Sequence, residues 1–516
     1  MTLRFLACAT VAGTLSFASF ASAAAQPAAV DASSEQALVA DFLAAVNGDE
    51  PARAAFLTAH VSEKPRMPTA EFPAALQTIA RTSGGLKLLS SSWRGGNLRL
   101  IVESSTGKAA RVDLMLESKS ATRLSGLRGV AIPAPYAGPK VTAPVSRSEL
   151  AAAIDQRIRS ASDRDDFSGA VLVVKGDEVI YSGAFGEADK AAHKPVRLDT
   201  RFNLGSMDKQ FTAVAIGQLI EQGRLTLDTR LVDVLPDYPN PEAARKITIR
   251  HLLSHSAGLG MLFERKGWDW KLRYNTMSEL LPLFAKQPLE FEPGTRGSYA
   301  NEGFIVLGAV IEKLSGETWY DYVQAHVFAP AGMTHTAYLT DDPAAPDRAI
   351  GYKFGDDDPL GLGARRPNWD TLSRRGNSCG GGFSTVGDMI KFLQALRSGK
   401  LLKPETVAVF TAQAPNGQQN YGFGFMHIPT GVGRTIVGHD GGGPGSGVNS
   451  DAKMVWETAT PMRCSATMTR HSPRLSAAIS ATCSPCRTRR NPSPAPRGSQ
   501  ASGRPGGCRP RGRSRS

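Results

Sequence analysis

The sequence predicts a mixed α/β fold: one mixed sheet assembled from strands at the two ends of a long helical section, preceded by a smaller α+β unit. Three observations carry this. Strand-like runs flank a middle section whose apolar residues recur at helical spacing. A proline-dense stretch separates that section from an earlier one with helices and strands of its own. Beyond residue 456 the composition changes so sharply that the end belongs to neither.

In chain order, Arg4, an apolar stretch over 5–20 and Ala21-Ser22-Ala23 have the layout of a secretory signal peptide, residues 1–25, so export to the periplasm or medium is expected. Cys8 has too short an apolar region before it for a lipoprotein. Residues 34–46 and 71–80 read as amphipathic helices, and Leu98, Leu100, Val102 and Val112, Leu114, Leu116 alternate as strands do. This unit, 31–131, shows no chemistry and its role is open. The linker, 132–146, holds Pro133, Pro135, Pro139 and Pro144. The second unit, 147–456, opens with a helix over 148–160. It continues as FSGAVLVVKGDEVIYSGAFG from Phe167, with a hairpin turn at Lys175-Gly176-Asp177. Helical patterns follow at 211–221, 304–314 and 385–396, and strand-like runs return at 421–427 and 434–437. One sheet closed by both ends of this unit, with a helical lobe over it, accounts for that order.

With 41% hydrophobic, 7% aromatic and 21% charged residues, the 516-residue chain is not collagen-like, disordered or a coiled coil. It has no apolar run near the roughly 18 residues of a membrane span, so no integral membrane segment is expected after signal cleavage. The net charge of +13 suggests nucleic acid until its position is examined. Residues 458–516 hold 12 Arg and no Lys, Asp or Glu, leaving 48 basic against 47 acidic residues before them. The body is near neutral, and no nucleic-acid partner is expected. The end, 457–516, lacks aromatic residues and cannot bury enough apolar surface to fold alone. Four of the six cysteines (Cys464, Cys483, Cys486 and Cys508) lie there, so no disulfide framework is implied and Cys483-Ser484-Pro485-Cys486 is not read as a site.

Three short motifs carry chemistry. In Ser206-Met207-Asp208-Lys209 the Ser and Lys share a helix face, so an amine can take the hydroxyl proton, and the helix N-terminus favours a developing anion. Ser105-Thr106-Gly107-Lys108 matches the same spacing but sits in an expected hairpin turn. In Tyr299-Ala300-Asn301 a phenol near a Lys can act as general base while the amide bonds the Lys and a substrate carbonyl. Tyr238-Pro239-Asn240 matches too, in a proline-rich loop. In Gly438-His439-Asp440-Gly441-Gly442-Gly443 the glycines allow close backbone approach, and their N–H groups can face an oxyanion. His251 and His255 stand four apart without the Glu of a zinc-peptidase motif and read as structural.

Together, in this order, the motifs resemble the serine β-lactamase and penicillin-binding protein superfamily, specifically the class C β-lactamase-related serine hydrolases. Flanking stretches agree: TIRHLLSHSAGLG from Thr248, EFEPGTRGSYAN from Glu290, AGMTHTAY from Ala331 and GGGFSTVGDMIKFL from Gly380. The resemblance covers 148–456 and implies a β-lactamase/transpeptidase-like antiparallel sheet with a helical lobe. It implies Ser206 as nucleophile, Lys209 as its base partner and Tyr299 as proton relay in acylation and deacylation. Asn301, His439, Gly441 and Gly442 would bind substrate, with the Ser206 and Gly442 amides as oxyanion hole. It implies a small-molecule or peptide substrate, and neither metal nor organic cofactor.

Two departures matter. His439 stands where β-lactamases of this type have Lys, which favours an esterase or D-aminopeptidase-like enzyme over a β-lactamase or DD-peptidase. After Trp456 the family continues with an apolar strand and a final helix, which this chain lacks. Read from their third bases with synonymous choices free, the codons for residues 457–472 can spell DGYTYAVLGNYDAPLA, which resembles the missing strand. A one-base frameshift near Trp456 and Glu457 is therefore expected, leaving two open sheet edges and an unstable or inactive chain. A protein that is acylated without turnover is the other alternative.

Overall fold

The structure, a computed structural model, describes residues 32–469 apart from 95–96, 119–121, 133–137, 139–144, 261–271, 340–346, 356–357, 359–363, 431–432, 443–445 and 457–462. The signal-peptide segment, the linker prolines and the end beyond 469 lie outside the described residues.

Three helices, α1 (Ala32–Asn47), α2 (Glu50–His60) and α3 (Glu71–Ser83), pack on a four-stranded antiparallel sheet in the order β1 (Leu86–Arg94), β2 (Asn97–Ser104), β3 (Ala109–Leu116), β4 (Leu124–Ala131). Burial alternates along β2, as its sequence requires when one face is covered. Leu98, Leu100, Val112 and Leu114 meet Phe42, Phe72 and Leu76 in a core separate from the rest. The sequence reading had neither α2 nor β1 nor β4. Asp49 caps α2 at the Ala52 N–H (3.0 Å), but the helix buries only Phe56, so its apolar signal is faint.

The second unit begins with α4 (Arg147–Ser162), whose Ser146 and Glu149 form a capping box. Its sheet is antiparallel throughout and six-stranded. The order is β7 (Met426–Pro429), β8 (Thr435–Gly442), β9 (Asn449–Trp456), β10 (Arg463–Thr469), β5 (Gly169–Lys175), β6 (Glu178–Phe185). Val171 and Val173 of β5 face Ile154 and Ile158 of α4. Ala170, Val174, Ala452 and Met454 face the helical lobe. That lobe contains α5 (Lys209–Glu221), α6 (Asn301–Ser315) and α7 (Val386–Arg397), the last capped by Thr385 at the Asp388 N–H (3.2 Å). The sheet thus lies between α4 and the lobe.

Two expectations are corrected. Tyr421–Phe425 is a loop, with Gly424 at φ 83°, and the strand begins only at Met426. The sheet also has no gap: β10, from the arginine-rich end, pairs on one side with β9 (Ala466 with Ala452) and on the other with β5 (Ser465 with Val173). Ladder hydrogen bonds use only the backbone, so a segment of unsuitable composition can still complete a sheet.

Candidate active site

Gly205–Asp208 forms a 3-10 turn that runs directly into α5, so residues three apart eclipse and Ser206 and Lys209 share a face. Strand β8 passes against this turn. A Cβ on Gly441 would collide with the Leu204 carbonyl and come within 3.0 Å of the Ser206 nitrogen, and one on Gly205 would collide with the Gly442 nitrogen. Gly205 also needs its positive φ of 51°. The two backbones therefore touch, which brings the Ser206 and Gly442 amides near each other. A pair of N–H groups so placed can hold a developing oxyanion.

Lys209 is fully buried. Its ammonium donates to Asn301 Oδ1 at 2.7 Å and to the Cys379 carbonyl at 2.6 Å. It lies 4.9 Å from the centre of the Tyr299 ring and 5.6 Å from that of Phe304. Both hydrogen-bond acceptors are neutral, so two of its three donors are spent without compensating the charge, and one is left for a hydroxyl or phenolate oxygen. The chain thus brings Ser206, Lys209, Tyr299, Asn301, Gly441 and Gly442 together. The two similar motifs lie elsewhere: Lys108 closes the β2–β3 turn, and Asn240 caps a short helix at the Ala243 N–H.

His439 is 1% exposed, which departs from a direct substrate contact. Nε2 bonds the Tyr421 hydroxyl at 2.8 Å, and Nδ1 meets the Asp440 carbonyl. Burial outweighs the neighbouring Asp440 and pushes the imidazole down to about 4, so near neutrality it is not a cation. Lys453, on the adjacent strand, is held by Asp451 (2.9 Å) and Asp440 (3.4 Å). Asp208 is fully buried; Oδ2 accepts the Gly382 N–H at 2.6 Å, and Oδ1 has no hydrogen-bond partner among the described residues. Burial raises its carboxyl to about 8 and the Cys379 thiol to about 12.

Sequence reasoning missed the Cys379 carbonyl, Tyr421 and the setting of the two histidines. His251 Nδ1 accepts the Thr248 N–H (3.2 Å) in a capping box. His255 lies against Tyr299. The flanking stretches carried part of the signal: TIRHLLSHSAGLG holds both histidines, and GGGFST begins one residue after Cys379.

A family profile described as Beta-lactamase matches residues 154–459. The chain is 31% identical to a putative penicillin-binding protein, PbpX, of Bacillus subtilis, over 53% of this chain and 66% of that protein. It is 31% identical to the esterase EstB of Burkholderia gladioli, over 54% and 80%. The crystal structure of a penicillin binding protein from Bacillus halodurans superposes with a TM-score of 0.54 and 28% identity, over 66% of this chain and 98% of that one. The chain thus spans just under two thirds of the length of the Bacillus subtilis relative. Among the described residues no helix is long and apolar enough to cross a membrane.

Proposed function

The chain belongs to the beta-lactamase family, and from that footing we propose that it works as an exported serine hydrolase, cleaving esters or amides through an acyl-enzyme on Ser206. One observation carries the reading: a buried Lys209 ammonium, held by Asn301 and Cys379 through neutral oxygens, beside Tyr299 and one turn after Ser206. The Ser206 hydroxyl attacks the substrate carbonyl while its proton passes to the Tyr299 oxygen, which acts as a phenolate paired with the Lys209 ammonium. The oxyanion is met by the Ser206 and Gly442 amides, and the leaving group departs with the proton. Water then repeats the sequence on the acyl-enzyme. Asn301 keeps Lys209 in place.

Esters or D-aminoacyl substrates are favoured over β-lactams because the third motif offers a buried neutral His439 where a cation would hold the β-lactam carboxylate. The test uses the full chain with a fluorophosphonate label, a chromogenic ester, a D-amino-acid anilide and a cephalosporin. Labelling at Ser206 and steady turnover of ester or anilide are expected, with the cephalosporin slowest and Ser206→Ala inert. A cephalosporin cleaved faster than both, or an unlabelled Ser206, overturns the reading. A burst without steady turnover supports an acyl-binding protein instead.

The reading frame after residue 456 belongs to the same proposal, supported by the family match ending at 459. Sequencing the source DNA through codons 449–470 tests it: one base gained or lost is expected, and an unchanged record overturns the frameshift.

A further inference from the structure

Behind Tyr299 lies a buried group of rings that acyl transfer does not use. His255 stacks on Tyr299 with ring centres 4.2 Å apart and planes 35° from parallel. It also meets Phe304 at 5.2 Å and Tyr421 at 4.7 Å. Tyr421 continues the series to His439, through its hydroxyl at 2.8 Å and an edge-on ring contact at 5.5 Å.

His255 also grips the backbone on both sides of Tyr299. Its carbonyl accepts the Ser298 N–H at 2.8 Å, and its Nδ1 accepts the Ala300 N–H at 3.2 Å. The Ala300 carbonyl lies 3.1 Å from the same nitrogen, so either tautomer finds a partner on that residue. His255 makes these contacts from a left-handed backbone, φ 57°, which among non-glycine residues Asn, Asp and His adopt most readily. Nε2 is buried with no hydrogen-bond partner among the described residues, an arrangement a purely space-filling role would not need.

We infer that His255 is a positioning residue for Tyr299: its ring fixes the face of the phenol and its Nδ1 fixes Ala300, so that Tyr299 and Asn301 reach Lys209 together. The groups facing His255 are Lys209 from α5, Tyr299 ahead of α6, Tyr421 ahead of β7 and His439 on β8. Burial, then Lys209 and His439, hold its imidazole well below the usual histidine range, so it stacks as a neutral ring.

The inference rests on the proposed role of Tyr299, and its test separates the two. In the full chain labelled with carbon-13 at the tyrosine Cζ, the Tyr299 signal is identified by its loss in Tyr299→Phe. His255→Phe keeps the ring and removes the acceptor. His255→Asn keeps a polar group and suits the left-handed backbone, but removes the ring. In folded variants the Tyr299 signal is expected to move, with kcat on an ester falling about tenfold and KM nearly unchanged. A folded variant with the parent's signal and kcat overturns the inference. Unfolding of both variants assigns His255 to the fold alone and overturns it too. If the parent fails to react at Ser206, the hydrolase reading falls, while the carbon-13 signal still decides whether His255 positions Tyr299.

Discussion

Two regions of this molecule carry the same spacing of Ser and Lys and put it to opposite uses. Ser105-Thr106-Gly107-Lys108 closes the hairpin between β2 and β3. Gly107 turns the chain at φ 77°, Ser105 donates to the Ser83 carbonyl at 3.1 Å, and Lys108 reaches out over Phe354 at 6.0 Å. Ser206-Met207-Asp208-Lys209 begins a helix instead, which turns Ser and Lys onto one face and buries the Lys among Asn301, Cys379 and Tyr299. A motif supplies functional groups; backbone conformation and burial decide whether they can act on each other.

The sharpest way to break this contrast is to remove each Lys in turn. Lys209→Ala is expected to lower kcat/KM on a chromogenic ester by about a thousandfold or more, and Lys108→Ala to leave it within about twofold. Equal losses would erase the distinction. Next, Tyr299→Phe is expected to cost about a hundredfold in turnover, with acyl-enzyme visible by mass spectrometry if deacylation suffers most.

The third test uses the residue before Lys209, Asp208, at the end of the 3-10 turn. Burial holds the Asp208 carboxyl at about 8, above its unfolded value, so the protonated group favours the folded chain in acid. That contribution is lost as pH rises from about 4 through about 8, by at most about 1.4 kcal/mol per pH unit. Asp208→Asn should therefore melt progressively higher than the parent as pH increases over that window; parallel melting curves would count against a buried neutral carboxyl. Smallest, Tyr421→Phe leaves His439 Nε2 without its partner and should cost about 1–3 kcal/mol in denaturant unfolding.

Long amphipathic helices and the β5–β6 hairpin were legible in the sequence, as were the candidates Ser206, Lys209, Tyr299 and Asn301, because periodicity and fixed spacing survive without a structure. β9 was not legible, because its buried Ser450, Asp451 and Lys453 interrupt the apolar pattern and are compensated only in three dimensions, by the Lys453–Asp451 pair at 2.9 Å. β10 escaped for a related reason: composition forecasts whether a segment folds alone, not whether neighbours will pair with it. The Cys379 partner of Lys209 is a carbonyl, which every residue has, so nothing in its side chain announces it. His439 was found by position, but it is buried beside Tyr421, which the chain brings in from elsewhere.

The place of β10 in the sheet also orders events during synthesis. Val173 emerges from the ribosome about 290 residues before Ser465, its eventual neighbour, and β5 has until then only β6 beside it. Closing so long a loop is a late and slow step. The helical lobe can condense first, with Ser206 and Lys209 already on their shared face, while the hairpin waits with one edge open to whatever else it meets. For this architecture the most hazardous interval precedes release of the chain, and any factor that shields the β5 edge during that time should raise the yield of native protein.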